Sequence, residues 1–501
     1  MINDLLNTFK HTFYYSLSNL SSKLVGFILL PLYTKYLIPQ EYGMFVTIEI
    51  TSFILIDLLS LHSHTAVMRW CANTKSEVER EKIISTAFFP LIIILSIVLF
   101  SFLPFTSNLS MLFFDTGQYS YYFYYLVFIS FIAVVNQFSL SLLRFYEKSK
   151  RFLLINLARF ATVVGLNVYL LTNTEMKIES IFISQLAGYF LVFVLSISFT
   201  LKRIKLLFDR KVFNSIIEFI WPLIISTFLI LIMTNIDKYV IKFILGDSDV
   251  GLYTLGFRVA SLINIVFIQS FQLGYLPYAY KKLNENNAKR FYSKVLTYYT
   301  LIITYAVLIL AVLSGPFLIM ISSSKEYFEA SAVIPFILFS FIFKGMSFIF
   351  AMGFHFSKKT LYNIWTGSIS LVIGVIFYIV AAKYIGIVGV AGTTCLVMIL
   401  NTVLSYKLSQ KIYPINYEVS KIITVLSLSV IFYIVIQNIN FNLTSLEIII
   451  KSILLLSFPF FLYLFKFYEP VELVTISRFW SEWRNPLKWK TNFVKFLEKK
   501  R

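Results

Sequence analysis

Long apolar runs dominate the chain. Each is close to twenty residues and bounded by charged or turn-forming residues, the length at which a helix crosses the hydrocarbon core of a bilayer. Fourteen such runs lie near 13–36, 42–64, 85–104, 121–143, 152–172, 178–201, 214–236, 251–275, 296–320, 331–354, 361–381, 385–406, 420–437 and 448–466. The pattern predicts an all-α polytopic membrane protein of about 14 transmembrane helices. The first run is too long for a cleavable leader, lacks a small-residue cleavage site and carries Lys23, so it is read as a span.

Composition agrees: of 501 residues 58% are hydrophobic and only 14% charged, which excludes an ordinary soluble enzyme. The net charge of +19 would suggest nucleic acid in a soluble chain. Here its distribution gives another reading. With the N-terminus inside, 33 of the 44 Lys and Arg fall in inner loops and tails, 7 in outer loops and 4 within spans. The inner clusters include Arg69/Lys75/Arg80/Lys82, Arg144/Lys148/Lys150/Arg151 and Lys281/Lys282/Lys289/Arg290/Lys294. This bias places both termini in the cytoplasm and calls for no nucleic-acid partner. Residues 469–501 interleave Trp480, Trp483 and Trp489 with eight Lys and Arg, as in a segment lying on anionic lipid headgroups.

A short repeat organises the spans. Glu41-x-Gly43-x-Phe45 opens the second and Asp249-x-Gly251-x-Tyr253 the eighth, 208 residues apart, and a Lys-Tyr pair precedes each. Both copies fall at the first hairpin of a six-span unit. The expected organisation is an N-terminal six-helix lobe (1–201), a C-terminal six-helix lobe (202–412), two additional transmembrane helices (413–468) and the basic aromatic tail (469–501).

Ionisable residues inside spans mark where chemistry happens, since each costs about 2.5–3.5 kcal/mol at a helix centre. Lys23, Arg159, Arg258 and Lys344 stand on polar helical stripes: Lys23 with Asn19 and Ser16, Arg159 with Asn156 and Asn167, Arg258 with Ser261, Gln269 and Gln272, Lys344 with Ser340 and Ser347. Two belong to each half, which fits a central cavity between lobes. Glu49 and Asp57 of the second span either pair with these cations or bind a coupling ion. Two carboxylates cannot neutralise four cations, so the interior is predicted to receive an anionic substrate.

Other motifs carry less. Asp247-Ser248-Asp249 resembles a sugar-diphosphate metal motif but reads as a turn before a helix. His62 and His64, two apart, do not share a helix face, so a metal site is not predicted and a helix-end role is favoured. Cys71 and Cys395 suggest neither a disulfide framework nor zinc. No Ser/His/Asp or Cys/His arrangement appears, and the chain is not read as an enzyme.

The stretch Asp237-Lys238-Tyr239-Val240-Ile241, Gly246, Val250-Gly251-Leu252-Tyr253-Thr254 and Arg258-Val259-Ala260-Ser261 resembles the seventh-to-eighth-span region of Wzx-type polysaccharide flippases. These belong to the multidrug/oligosaccharidyl-lipid/polysaccharide (MOP) superfamily. Leu20 to Tyr36, Glu41-Tyr42-Gly43 and Gly386 to Gly392 are similar too. The resemblance implies a two-lobed transporter in the bacterial cytoplasmic membrane. It would move undecaprenyl-pyrophosphate-linked oligosaccharide repeat units, such as O-antigen units, to the outer leaflet by alternating access. It implies no cofactor beyond a proton or sodium ion for coupling. Expected partners are membrane lipids, the lipid-linked glycan, a polysaccharide polymerase and a chain-length regulator. A cation-coupled MATE-like drug exporter and an integral-membrane glycosyltransferase or polymerase are the alternatives; the basic interior and the short outer loops, respectively, argue against them.

Overall fold

The computed structural model describes residues 25–322, 324–439 and 444–474, together with Tyr14 and Ser18. Lys23 and the tail from residue 475 lie outside the described residues. Among the described residues all regular structure is helical, and twelve helices have the length and apolarity to cross a membrane. Ile449–Leu464 adds a shorter apolar helix. The expected fourteen spans are therefore not all counted here: the first run is described only from residue 25, and the last is the shorter helix.

In the first half lie α1 (Leu30–Tyr36), α2 (Pro39–Leu59), α3 (Ser63–Ala72), α4 (Glu77–Ser101), α5 (Thr106–Phe114), α6 (Ser120–Phe145), α7 (Ser149–Asn173) and α8 (Ile178–Leu201). There follow α9 (Arg210–Ile244), α10 (Asp247–Ile263), α11 (Ser270–Lys282), α12 (Ala288–Val312), α13 (Ser314–Ile321), α14 (Ile334–Phe356), α15 (Leu361–Ile385), α16 (Ile387–Ile412), α17 (Val419–Gln437) and α18 (Thr444–Leu464).

The starts of these helices are written in the sequence. Ser76 caps α4, its hydroxyl accepting from the Glu79 amide, with Glu77 and Glu79 in the first turn. Asp209 caps α9 through the Lys211 and Val212 amides at 2.8 and 3.2 Å, and Lys82 donates to its other oxygen at 2.6 Å. That hydrogen bond from Lys82, with the two amides, holds the Asp209 carboxyl below its usual range. At α2, Pro39 occupies the first turn and Glu41 turns back to accept from the Ile38 amide at 3.1 Å.

One boundary corrects the sequence reading. The seventh span does not end near 236: α9 runs on to Ile244, so Asp237, Lys238 and Lys242 are helix residues and not part of an outer loop. Their charges are matched locally, which makes the extension affordable: Lys238 pairs with Asp237 at 3.2 Å and Lys242 with Asp247 at 2.6 Å. The turn into α10 is short because Gly246 takes φ +109°, a conformation that L side chains rarely adopt.

The chain forms two compact units. One holds the chain up to Val266 and Ser314–Ile412; the other holds Phe267–Leu313 and the chain from Tyr413 onward. In the first, α2 packs against α6, α9 and α10, α7 against α8, and α14 against α16. In lipid, helices associate through close packing and interhelical hydrogen bonds rather than hydrophobic burial. Accordingly Asn136 on α6 donates to the Tyr189 carbonyl of α8 at 2.8 Å, and Thr51 on α2 shares a hydrogen bond with Tyr239 on α9 at 2.8 Å. The second unit centres on α12, α17 and α18, where Leu308, Val425, Phe432, Phe458 and Leu462 form a core and Tyr305 stacks on Phe458.

Candidate functional site

In the first unit, a cavity of about 320 Å³ lies among α2, α7, α8, α10 and the chain preceding α1. Its polar lining is Tyr33 of α1 with Glu49, Asn156, Arg159, Gln185, Tyr189 and Arg258; Gly26, Phe53 and Val163 supply apolar wall. Two of the four predicted cations, Arg159 and Arg258, thus come together with one of the two predicted carboxylates.

Arg258 is the centre of the charge arrangement. Its Nη2 donates to Glu49 Oε2 in a close ion pair between α10 and α2, and Gln185 Nε2 donates to Glu49 Oε1 at 3.4 Å. The guanidinium also lies 5.6 Å from the Tyr42 ring centre. Nη1 is buried without a hydrogen-bond partner, beside Gly26, where an added Cβ would stand 3.5 Å away. A guanidinium that has spent one nitrogen on Glu49 still offers its second to an acceptor.

Arg159 lies over the Tyr189 ring at 3.9 Å, a cation–π contact that stabilises the charge while leaving the guanidinium edge unspent. Asn156, one turn before it, donates to the Phe152 carbonyl at 2.9 Å. Among the described residues the lining carries two Arg against one Glu, a single net positive charge in a wall otherwise neutral. Such a pocket favours an anion with several acceptor oxygens over a cation.

The other predicted residues lie elsewhere. Lys344, on α14, has its ammonium 5.6 Å from the Phe341 ring and does not line this cavity. Asp57 sits at the end of α2, where Ser60 Oγ donates to its carbonyl at 2.8 Å, and does not line the cavity either. The polar stripe projected from Arg258 through Gln269 and Gln272 is broken, because residues Asn264–Gln269 form a π-helical turn that ends the regular spacing.

Sequence reasoning missed a second buried polar cluster. Asp237 accepts from Tyr253 Oη at 2.7 Å and from the Lys238 backbone amide at 2.9 Å, while the Lys238 ammonium reaches both its carboxylate and the Thr234 carbonyl. Tyr253 and Tyr378 both bond Thr394 Oγ1 at 3.1 Å. The signal was the adjacent Asp-Lys pair in an apolar run, hidden by ending the span near 236, eight residues before Ile244. Among the described residues no group of three His, Cys, Asp or Glu is placed to hold a metal ion.

Residues 8–282 match the family described as polysaccharide biosynthesis protein, and residues 222–380 match the MatE family. A protein of the Lsg locus of Haemophilus influenzae is 24% identical over 286 residues, covering 56% of this chain and 68% of that one. Among solved structures, the lipid II flippase MurJ in an inward closed conformation superposes with a TM-score of 0.74 at 17% identity, over 90% of this chain and 98% of its own. An inward-facing multidrug resistance MATE transporter of the MOP superfamily gives 0.61 at 12% identity, over 81% and 96%. These likenesses establish the fold.

Proposed function

Because the chain belongs to the polysaccharide biosynthesis protein family of the MOP superfamily, we propose that it flips a lipid-linked glycan across the bacterial cytoplasmic membrane. The substrate would be an undecaprenyl-pyrophosphate-linked oligosaccharide, moved by alternating access. The observation that carries this reading is the cavity whose described lining has one net positive charge and in which Arg258 keeps an unbonded, buried Nη1.

The chemistry follows from what each group has left to give. Glu49 neutralises Arg258, so the charge is tolerated inside the bilayer. A diphosphate entering beside Gly26 meets Nη1 first and then competes with Glu49 for the rest of the guanidinium. Arg159 supplies a second charge-assisted donor, and Gln185 and Asn156 supply neutral polar groups for sugar or phosphate oxygens. Binding thus trades an internal ion pair for an external one, and a small difference between the two is what a transporter that must also release its cargo needs.

The drug-exporter reading draws on the MatE match over 222–380, but a net positive cavity disfavours cationic drugs. The test is complementation of a flippase-deficient strain supplied with the matching sugar pathway. Surface polysaccharide should return with this chain. Failure at normal membrane abundance, across several sugar pathways, would contradict the proposal.

A further inference from the structure

Between α2 and α3 the chain takes a costly backbone conformation. Leu61 and His62, neither a glycine, both take φ +47°, in the left-handed region, in the middle of what is otherwise one 34-residue apolar span. Such outliers persist only where the surroundings hold them. Here the Ser60 hydroxyl donates to the Asp57 carbonyl at 2.8 Å and Ser63 Oγ donates to the Ser60 carbonyl at 2.8 Å. Across the gap, His62 Nε2 shares a 2.7 Å hydrogen bond with Thr227 Oγ1 of α9, 165 residues away. The same two helices meet again where Trp70 packs edge-on to Phe219 with ring centres 5.4 Å apart.

The turn is also where titratable groups gather. Asp57 and His62 interact electrostatically, the His64 ring lies 5.9 Å from that of His62, and His64 Nδ1 is buried with no hydrogen-bond partner. From the packed neighbours, α6 brings Arg144 to within electrostatic reach of His64, and α4 brings Arg80, whose guanidinium is held by the Cys71 and Thr74 carbonyls and by Glu77. α9 brings the neutral Thr227 and Phe219, the latter under Arg69 at 4.4 Å.

We propose that the Asp57–His62 turn is a proton-binding site that sets the shape of this span. One proton from water converts neutral His62 beside ionised Asp57 into an imidazolium–carboxylate pair, taking the local charge from −1 to 0. Nε2 must then donate to Thr227, whose own hydrogen turns away. The alternative arrangement is an unbroken helix: if Leu61 and His62 take helical angles, α2 and α3 run on as one helix and His62 leaves Thr227. Proton binding selects the bent form, because only there do the pair and the bond to α9 coexist. The use of this proton, to couple a gradient to substrate movement, rests on the transporter reading above; the binding and the shape change do not.

Spin labels at Asn73→Cys and Ser215→Cys, in a full-length chain with Cys71 and Cys395 replaced, report the distance between α3 and α9. The distribution should shift between pH 8 and pH 5.5 in the parent. It should stop responding in His62→Gln, which can still bond Thr227 but takes no proton, and respond as the parent does in His64→Gln. In Asp57→Asn the midpoint should fall by about one pH unit. An unresponsive parent, or a His62→Gln chain that shifts as the parent does, would overturn the inference. Should His62→Gln fail to fold, NMR of the histidine-labelled chain decides, since only four histidines are present. One of them must titrate at a lower pH when Asp57 becomes Asn, and four unaffected titrations would overturn the inference equally. No substrate is needed, so a failure here leaves the transport reading untouched.

Discussion

Gly43 on α2 and Gly251 on α10 lie back to back. A Cβ on Gly43 would stand 1.7 Å from the Asp247 carbonyl oxygen, and one on Gly251 would stand 2.2 Å from that of Pro39. These are the equivalent glycines of the internal repeat, so the two copies of the motif meet each other. Backbone stands on backbone here, and neither side can give way as a flexible side chain would. Gly43→Ala and Gly251→Ala should each push the two helices apart, costing about 1–3 kcal/mol or more. Thermal unfolding in detergent should show both variants melting clearly below the parent, with Gly165→Ala, where nothing lies within 4 Å, unchanged. Equal melting of all four chains would remove this crossing from the account.

The Arg258–Glu49 pair should behave as a coupled unit. Glu49→Gln strands a buried guanidinium, and breaking one partner of such a pair costs about 3–5 kcal/mol. Removing both, in Glu49→Gln with Arg258→Gln, should recover part of that loss, giving a coupling energy of about 1–3 kcal/mol in a double-mutant cycle. Additive single effects would mean that the two residues do not depend on each other.

Much of this was legible in the sequence, and the misses have physical causes. The run 178–201 coincides with α8 because charged residues stop it at both ends and nothing inside interrupts it. Arg159 and Arg258 were singled out because a lone cation in an apolar run has few explanations, and the structure places both in the lining of one cavity. Asp237 and Lys238 were assigned to a loop because adjacent opposite charges look like a span boundary, whereas they cancel each other and let the helix continue. Lys344 could not be separated from the cavity cations, because helical spacing fixes a face of one helix and not which neighbour that face meets. His62 was expected at a helix end and stands at the start of α3, but its turn was not legible: two left-handed non-glycine residues follow from tertiary contacts, not from local preference.

Gly26 offers a steric test of where the ligand sits. An alanine there makes ordinary contact, its Cβ 3.5 Å from Arg258 Nη1. Gly26→Ala should therefore retain transport, while Gly26→Leu should fill the space before Nη1 and abolish complementation at normal abundance. Full activity of the leucine variant would show that the substrate does not approach Arg258 from this side.

The second unit should have its own acid sensitivity. Burial would raise the Glu418 carboxyl, but hydrogen bonds from Lys294, Thr297 and Lys421 prevail and hold it below its usual range; Glu469 is held low chiefly by the hydrogen bond from Lys294. Both folded-state values lie below the unfolded ones, so the stability they contribute is present above the unfolded pKa, about 4.3, and is lost as pH falls through the folded values. Melting followed from pH 7 to pH 3 should drop on the acid side, and the drop should be smaller in Lys294→Met, which lowers the pH 7 value instead. An acid limb identical in both chains would assign the sensitivity to other carboxylates.

In the transport function proposed above, Arg258 receives the anionic headgroup. The most direct measurement is the leaflet distribution of lipid-linked repeat units in flippase-deficient cells expressing either the parent chain or an Arg258 variant, with membrane abundance matched. Guanidinium can grip phosphate with two nitrogens where an ammonium offers a point charge. The account predicts that the parent clears repeat units from the inner leaflet, that Arg258→Lys clears them about ten-fold more slowly, consistent with the loss of about 1.4 kcal/mol, and that Arg258→Ala leaves them there. Clearance by Arg258→Ala at the parental rate would contradict it.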